Sequence, residues 1–179
     1  MEFKGSKTEK NLMDAYAAES MGRTKYTFYA SKAKKDGYER IAEIFELTAN
    51  NEKEHAEVWF KYLNGGELSH TLQNLEDAAK GEYFEWTKMY KDYAKIARDE
   101  GFTDIALHFD MVASVEKFHN ERYDKLLEDV KQDRMFKSPM PVLWQCANCG
   151  FHIMCENAPE VCPLCSHPKS YFFNTEEQL

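Results

Sequence analysis

The sequence predicts an all-α four-helix bundle followed by a small module held together by a metal ion. Three observations predict it. From about Ser6 to Gln132, apolar residues recur every three or four positions, the period of an amphipathic helix. A Glu-x-x-His pair occurs twice in that stretch, as Glu52/His55 and Glu116/His119. All five cysteines fall between Cys146 and Cys165, beyond the last helical stripe.

The first helix is expected over about 8–36, with Leu12, Tyr16, Glu19, Arg23, Tyr26 and Ala30 on one stripe. The second, about 38–64, aligns Ile41, Phe45, Glu52, His55, Trp59 and Leu63. The third, about 72–100, aligns Leu75, Glu82, Glu85, Met89, Tyr93 and Ile96. The fourth, about 102–132, aligns Ile105, Phe109, Glu116, His119, Tyr123 and Val130. Gly37 and Gly101 stand where the first and third should stop, and Asn64-Gly65-Gly66 ends the second. Past the bundle (1–132), two prolines mark 133–143 as a linker. The remainder, 144–179, is too short for a sizeable core, which calls for a metal staple.

Charge and leader narrow the classes. A net charge of -8 argues against a nucleic-acid surface. No apolar run approaches the ~20 residues of a membrane span. The first ten residues lack the apolar core of a secretory signal, so a cytoplasmic protein is expected. Crowded cysteines in such a chain favour a metal site over disulfides.

An internal repeat carries the chemistry. Subtracting 64 maps Tyr90 to Tyr26, Gly101 to Gly37, Phe109 to Phe45, Glu116 to Glu52, His119 to His55 and Leu127 to Leu63. The bundle is thus two copies of one helical hairpin. Glu and His three apart share a helix face, so both reach one point. Glu19, Glu82 and Glu85 add carboxylates to the apolar stripes of the other two helices. Burying so many acids together is prohibitive unless cations neutralise them. A Glu from each of two helices, plus Glu-x-x-His from the other two, is the bundle di-metal pattern. The register slips once: Tyr83 falls on Glu19, and the second copy has Glu82 and Glu85 one turn apart. Glu82 is expected to replace the partner of Glu19, leaving Glu85 surplus. A surplus ligand makes two metals inequivalent and suggests redox chemistry.

In the C-terminal module, Cys146-x-x-Cys149 and Cys162-x-x-Cys165 form two knuckles. Four thiolates in tetrahedral array fit zinc or iron. Cys155 lies outside both pairs and reads as a spare thiol.

Taken together, Glu19, Glu52-x-x-His55, GEYFEW at 81–86, Glu116-x-x-His119 and the CANCG and CPLC knuckles resemble rubrerythrin from end to end. That resemblance implies a ferritin-like di-iron bundle joined to a rubredoxin-like domain with one iron on Cys146, Cys149, Cys162 and Cys165. It implies a peroxidase that reduces hydrogen peroxide to water, fed through the cysteine-bound iron by an external rubredoxin or an NAD(P)H-dependent reductase. Glu52 and Glu116 would bridge the two irons, Glu19 and Glu85 would serve one, and Glu82 and His119 the other. On reduction Glu85 would give way to His55. Tyr26 and Tyr90 would hydrogen-bond ligand carboxylates, or else serve as core aromatics with a wet hydroxyl. Ser166 departs from the pattern, standing where Gly150 stands in the first knuckle. The link from Gly65 to Thr71 reaches only ~23 Å, against helices of ~40 Å, so a homodimer with swapped hairpins is expected. The rival readings are a ferroxidase or iron-storage protein, an oxygen-reducing oxidase, and a redox-silent protein with zinc in either site.

Overall fold

The computed structural model describes residues 2–176; the last three of the 144–179 module lie outside the described residues. The chain divides into one unit up to Ser69 and another from His70. Each contains a helical hairpin.

In the first unit, α1 (Lys7–Lys35) and α2 (Glu39–Leu63) form the hairpin. Ser6 caps α1, its hydroxyl accepting from the Glu9 amide at 3.1 Å. Lys32, Lys34 and Lys35 meet the negative end of the helix dipole in its last turn. Gly37 takes φ +83°, which lets the Tyr38 amide return to the Ala33 carbonyl at 2.9 Å. The seam between the helices is alanine: Ala30, Ala33, Ala42, Ala49 and Ala56 are buried. Bulkier stripe residues are left outside that seam, with Ile41 46% and Tyr29 45% exposed.

The second unit holds α3 (Thr71–Phe84), one turn of π-helix (Glu85–Met89), α4 (Tyr90–Asp99) and α5 (Thr103–Lys131). The expected third helix is therefore continuous but widened at its middle, where the Tyr90 amide reaches back five residues to the Glu85 carbonyl. Alanines again fill the seam (Ala79, Ala94, Ala97 and Ala106), while Ile96 and Ile105 stand half exposed. The repeat is visible in the packing. Tyr26, Tyr29 and Phe45 make an aromatic trio with centroids 5.5–6.2 Å apart. Tyr90, Tyr93 and Phe109 repeat it at 5.7–6.3 Å.

After α5 comes a three-stranded antiparallel sheet of order β2-β1-β3, with β1 at Lys137–Cys146, β2 at His152–Asn157 and β3 at Phe172–Asn174. The stretch expected as a linker is thus largely strand. Its prolines fit because the register with β2 breaks between Lys137 and Val142, and β3 pairs only with Trp144 to Cys146. Pro139 and Pro141 therefore lack no ladder partner. The module's core is Val142, Trp144, Cys146, Ala158, Cys162 and Phe172. Trp144 Nε1 donates to the Cys155 carbonyl at 3.0 Å. Among the described residues, no helix is long and apolar enough to cross a membrane.

Candidate metal centres

Among the described residues, three clusters bring metal-binding atoms within 4.8 Å of one another: Glu19, Glu52 and His55; Glu82, Glu116 and His119; and the four knuckle cysteines. Two are copies. In the first, His55 Nδ1 lies 2.9 Å from Glu52 and 3.6 Å from Glu19. In the second, His119 Nδ1 lies 2.7 Å from Glu116 and 3.7 Å from Glu82. Each Glu-x-x-His comes from one turn of α2 or α5, and the third acid reaches over from α1 or α3. Two carboxylates and one imidazole form a hard, anionic donor set for a divalent or trivalent ion, and each hairpin offers one such set.

Electrostatics show how the acids of each cluster act on one another. Glu19 is raised above the usual carboxyl range by its hydrogen bond to Glu52 and by burial. The same bond, with that to His55, lowers Glu52. A cation between these two acids would relieve both. Glu82 is also raised, by burial first and then by Glu116. His55 is raised above its ordinary 6.5, chiefly by Glu52. A raised imidazole stabilises the metal-free fold fully below 6.5, and that stabilisation fades as pH rises through the folded value. Metal binding needs the neutral ring. Uptake at this cluster should therefore release a proton and tighten as pH climbs past that value. Calorimetric titration in buffers of differing ionisation enthalpy would measure the proton, and a His55→Gln variant should release less.

Glu85 joins neither three-residue cluster. It opens the π turn, and its charge reaches both Glu82 and Tyr90. At this turn the second hairpin is one residue longer than the first. Before the turn, Asn74, Leu75, Asp77, Ala78 and Glu82 match Asn11, Leu12, Asp14, Ala15 and Glu19 at an offset of 63. From Tyr90 onward the offset is 64. Between these registers the five residues Glu85–Met89 stand against four, 22–25. A residue inserted into a helix is absorbed as one wide turn, and here that turn begins with the surplus acid. The change of offset is readable in the sequence; a single-register comparison passes over it. In the first copy Gly22 occupies the corresponding place. A Cβ there would touch Glu52 Cγ at 3.7 Å and the Tyr26 ring at 3.9 Å.

Tyr90 faces the acids of the second cluster. Burial raises its pKa, and Glu85, Glu116 and Glu82 raise it further. The phenol stays neutral at physiological pH and keeps its O–H as a donor. Tyr26 packs on Phe45 with centroids 6.1 Å apart.

In the module, Cys146 and Cys165 sulfurs are 3.7 Å apart, as are those of Cys149 and Cys162. A tetrahedral ion with metal–sulfur bonds of about 2.3 Å sets its sulfurs about 3.8 Å apart. The cage fits. The His167 amide leads the groups that draw Cys165 down to about 6. Although the Phe151 amide lowers Cys149, burial and the other thiols push it up to about 12. A bound cation would draw the protons from all four. Gly150 has φ +76° and Ser166 φ +59°, and both amides make the same return bond, to Cys146 and Cys162 carbonyls at 2.9 Å. The second knuckle therefore keeps the geometry of the first, with Ser166 in a left-handed conformation that glycine adopts more readily. Cys155 lies apart from the cage, its thiol donating to the Asn157 carbonyl at 3.0 Å.

Comparison with known proteins agrees with this anatomy. The rubrerythrin family profile matches residues 10–127, and that of the rubrerythrin rubredoxin-like domain matches 144–173. A rubrerythrin of Porphyromonas gingivalis is 47% identical, over 95% of this chain and 90% of that protein. Rubrerythrin-1 of Clostridium acetobutylicum is 44% identical over 95% of each. A rubrerythrin of Nitratidesulfovibrio vulgaris is 42% identical, again over 95% of each. The chain belongs to the rubrerythrin family, with sites for two Fe among its helical carboxylates and imidazoles and for one Fe in its rubredoxin-like cysteine cage.

Proposed function

We propose that the chain is a non-haem di-iron peroxidase that reduces hydrogen peroxide to water, re-reduced through its four-cysteine centre. The observation that carries this reading is the asymmetry between two otherwise duplicated clusters. Static binding needs only the six matched ligands, whereas Glu85 adds a seventh on a turn that its twin lacks. In this reading Glu52 and Glu116 would be shared by the two ions, Glu19 and Glu85 would hold one, and Glu82 and His119 the other. On reduction His55 would serve as ligand in place of Glu85. Such a pair of irons would supply the two electrons that, with two protons, convert one hydrogen peroxide to two waters. Tyr90, kept neutral by burial and by its acidic neighbours, donates its O–H to a ligand carboxylate and fixes its orientation. Tyr26 does the same beside Glu52. His55 Nδ1, hydrogen-bonded to Glu52, can hold a proton whenever it is not a ligand. The cysteine cage passes electrons one at a time from an external rubredoxin or an NAD(P)H-dependent reductase.

The working unit in this reading is a homodimer with swapped hairpins, each di-iron site taking one hairpin from either chain. Support comes from the seven residues, 64–70, that join α2 to α3. They span ~23 Å extended, short of the ~38 Å length of α2. Half-exposed Ile41, Ile96 and Ile105 on the ligand-bearing helices supply apolar surface for such a partner.

Stopped-flow mixing tests the activity. The anaerobically reduced protein should be oxidised rapidly by one equivalent of hydrogen peroxide and far more slowly by oxygen, without building an iron core. Fast oxidation by oxygen with many irons stored per chain would instead make it a ferroxidase. Zinc alone at every site would end the redox reading.

A further inference from the structure

Trp86, the last residue of the GEYFEW motif, has no part in the ligand set, yet it sits inside the π turn and is anchored there. Its Nε1 donates to Asn120 Oδ1 at 3.1 Å. Asn120, only 6% exposed, gives one Nδ2 hydrogen to the Ala79 carbonyl at 3.1 Å and the other to the Asp124 carboxylate at 2.9 Å. An indole N–H can only donate, and a carbonyl can only accept. The amide of Asn120 therefore has one workable orientation, with both its hydrogens and its oxygen engaged. The indole is held from its other sides too. Tyr83 meets it edge-on at 5.7 Å, and Lys91 and Lys117 lie 5.3 and 5.9 Å from its ring centroid.

The bridge links three ligand-bearing segments. Trp86 follows Glu85, Asn120 follows His119, and Ala79 lies one turn before Glu82 on α3. It exists in one copy alone. At the offset of 64, Asn120 falls on Ala56, which has no side-chain amide to make it. The hairpin with the inserted residue is thus the one with the bridge. A π turn is rare and occurs mostly as a single wide turn inside an α-helix, and a buried three-way bond at that turn opposes its return to α register.

We infer that Trp86 and Asn120 are positioning residues for Glu85: their bridge holds the wide turn fixed, so that the carboxylate of Glu85 can exchange places with an imidazole while its backbone stays still. The role given to Glu85 rests on the di-iron reading; the clamp on the turn does not.

The test uses the full chain with the cysteine cage already loaded. Trp86→Phe keeps the ring and removes only the N–H, while Asn120→Leu keeps the volume and removes the bonds. In the metal-free bundle, hydrogen exchange at the Tyr90 amide should rise at least roughly tenfold relative to α5, as expected for one lost hydrogen bond of about 1.5 kcal/mol. Titration with Co(II) should show a roughly 10- to 100-fold loss of affinity, the usual effect of removing a group that orients a ligand. The Co(II) ligand-field spectrum should also change. The double variant should be no worse than the poorer single one, since both break one bridge. Lower melting temperature with unchanged Tyr90 exchange and an unchanged Co(II) spectrum would overturn the inference, leaving ordinary packing. A wild-type bundle that binds no Co(II) would sink the di-iron reading instead, and Tyr90 exchange in Trp86→Phe would still judge the clamp.

Discussion

A chain carrying Glu116→Ala should lose peroxide turnover by roughly 10²–10⁴-fold, because stripping one partner from a shared charge site costs about 3–5 kcal/mol at about 1.4 kcal/mol per tenfold. A chain carrying Glu52→Ala should fare the same. Mixing the two inactive chains, with subunit exchange, is the informative step. In a swapped dimer, one site of each heterodimer draws its first hairpin from the Glu116→Ala chain and its second from the Glu52→Ala chain. That site is whole. Random pairing then restores about a quarter of wild-type activity per chain, from half the dimers with one good site of two. Unswapped chains would gain nothing on mixing. Iron analysis of the mixture gives the same answer independently of turnover.

Cys162→Ser should have the other large effect. Cys162 is both a cage ligand and part of the module's core, 1% exposed beside Trp144 and Phe172. Binding of a structural metal supplies about 10–16 kcal/mol in small four-ligand domains, more than a module of this size gains from its apolar core. Losing the ligand should unfold the module and erase both its metal–thiolate colour and the near-ultraviolet dichroism of Trp144. Turnover with an external donor should fall to background, while a single oxidation of the pre-reduced bundle by peroxide persists. Donor-driven turnover that survives would show that the cage is not the relay. Cys155→Ser is the control, since its thiol lies outside the cage.

Much of the architecture was legible because helix periodicity and glycine stops are local signals. The ligand clusters were legible because one offset repeated acids and imidazoles together. Three features were not. The π turn hid because a one-residue insertion leaves each half of the helix amphipathic, and only the switch from 63 to 64 betrays it. The strand through Pro139 and Pro141 hid because prolines ordinarily mark a break, and only the pairing geometry shows a stretch where no amide is needed. Asn120 gave no sequence signal at all. A buried amide resembles a surface one until its partners are seen, and its duplicate position holds alanine.

The wide turn at Glu85–Met89 also bears on how such a chain could arise. Fusion of two identical hairpin genes would yield a symmetric ancestor; one later codon, gained in the middle of the third helix, suffices to make its halves differ. The hairpin that is longer by one residue is also the one that carries the tryptophan and asparagine that tie its wide turn to the neighbouring helix.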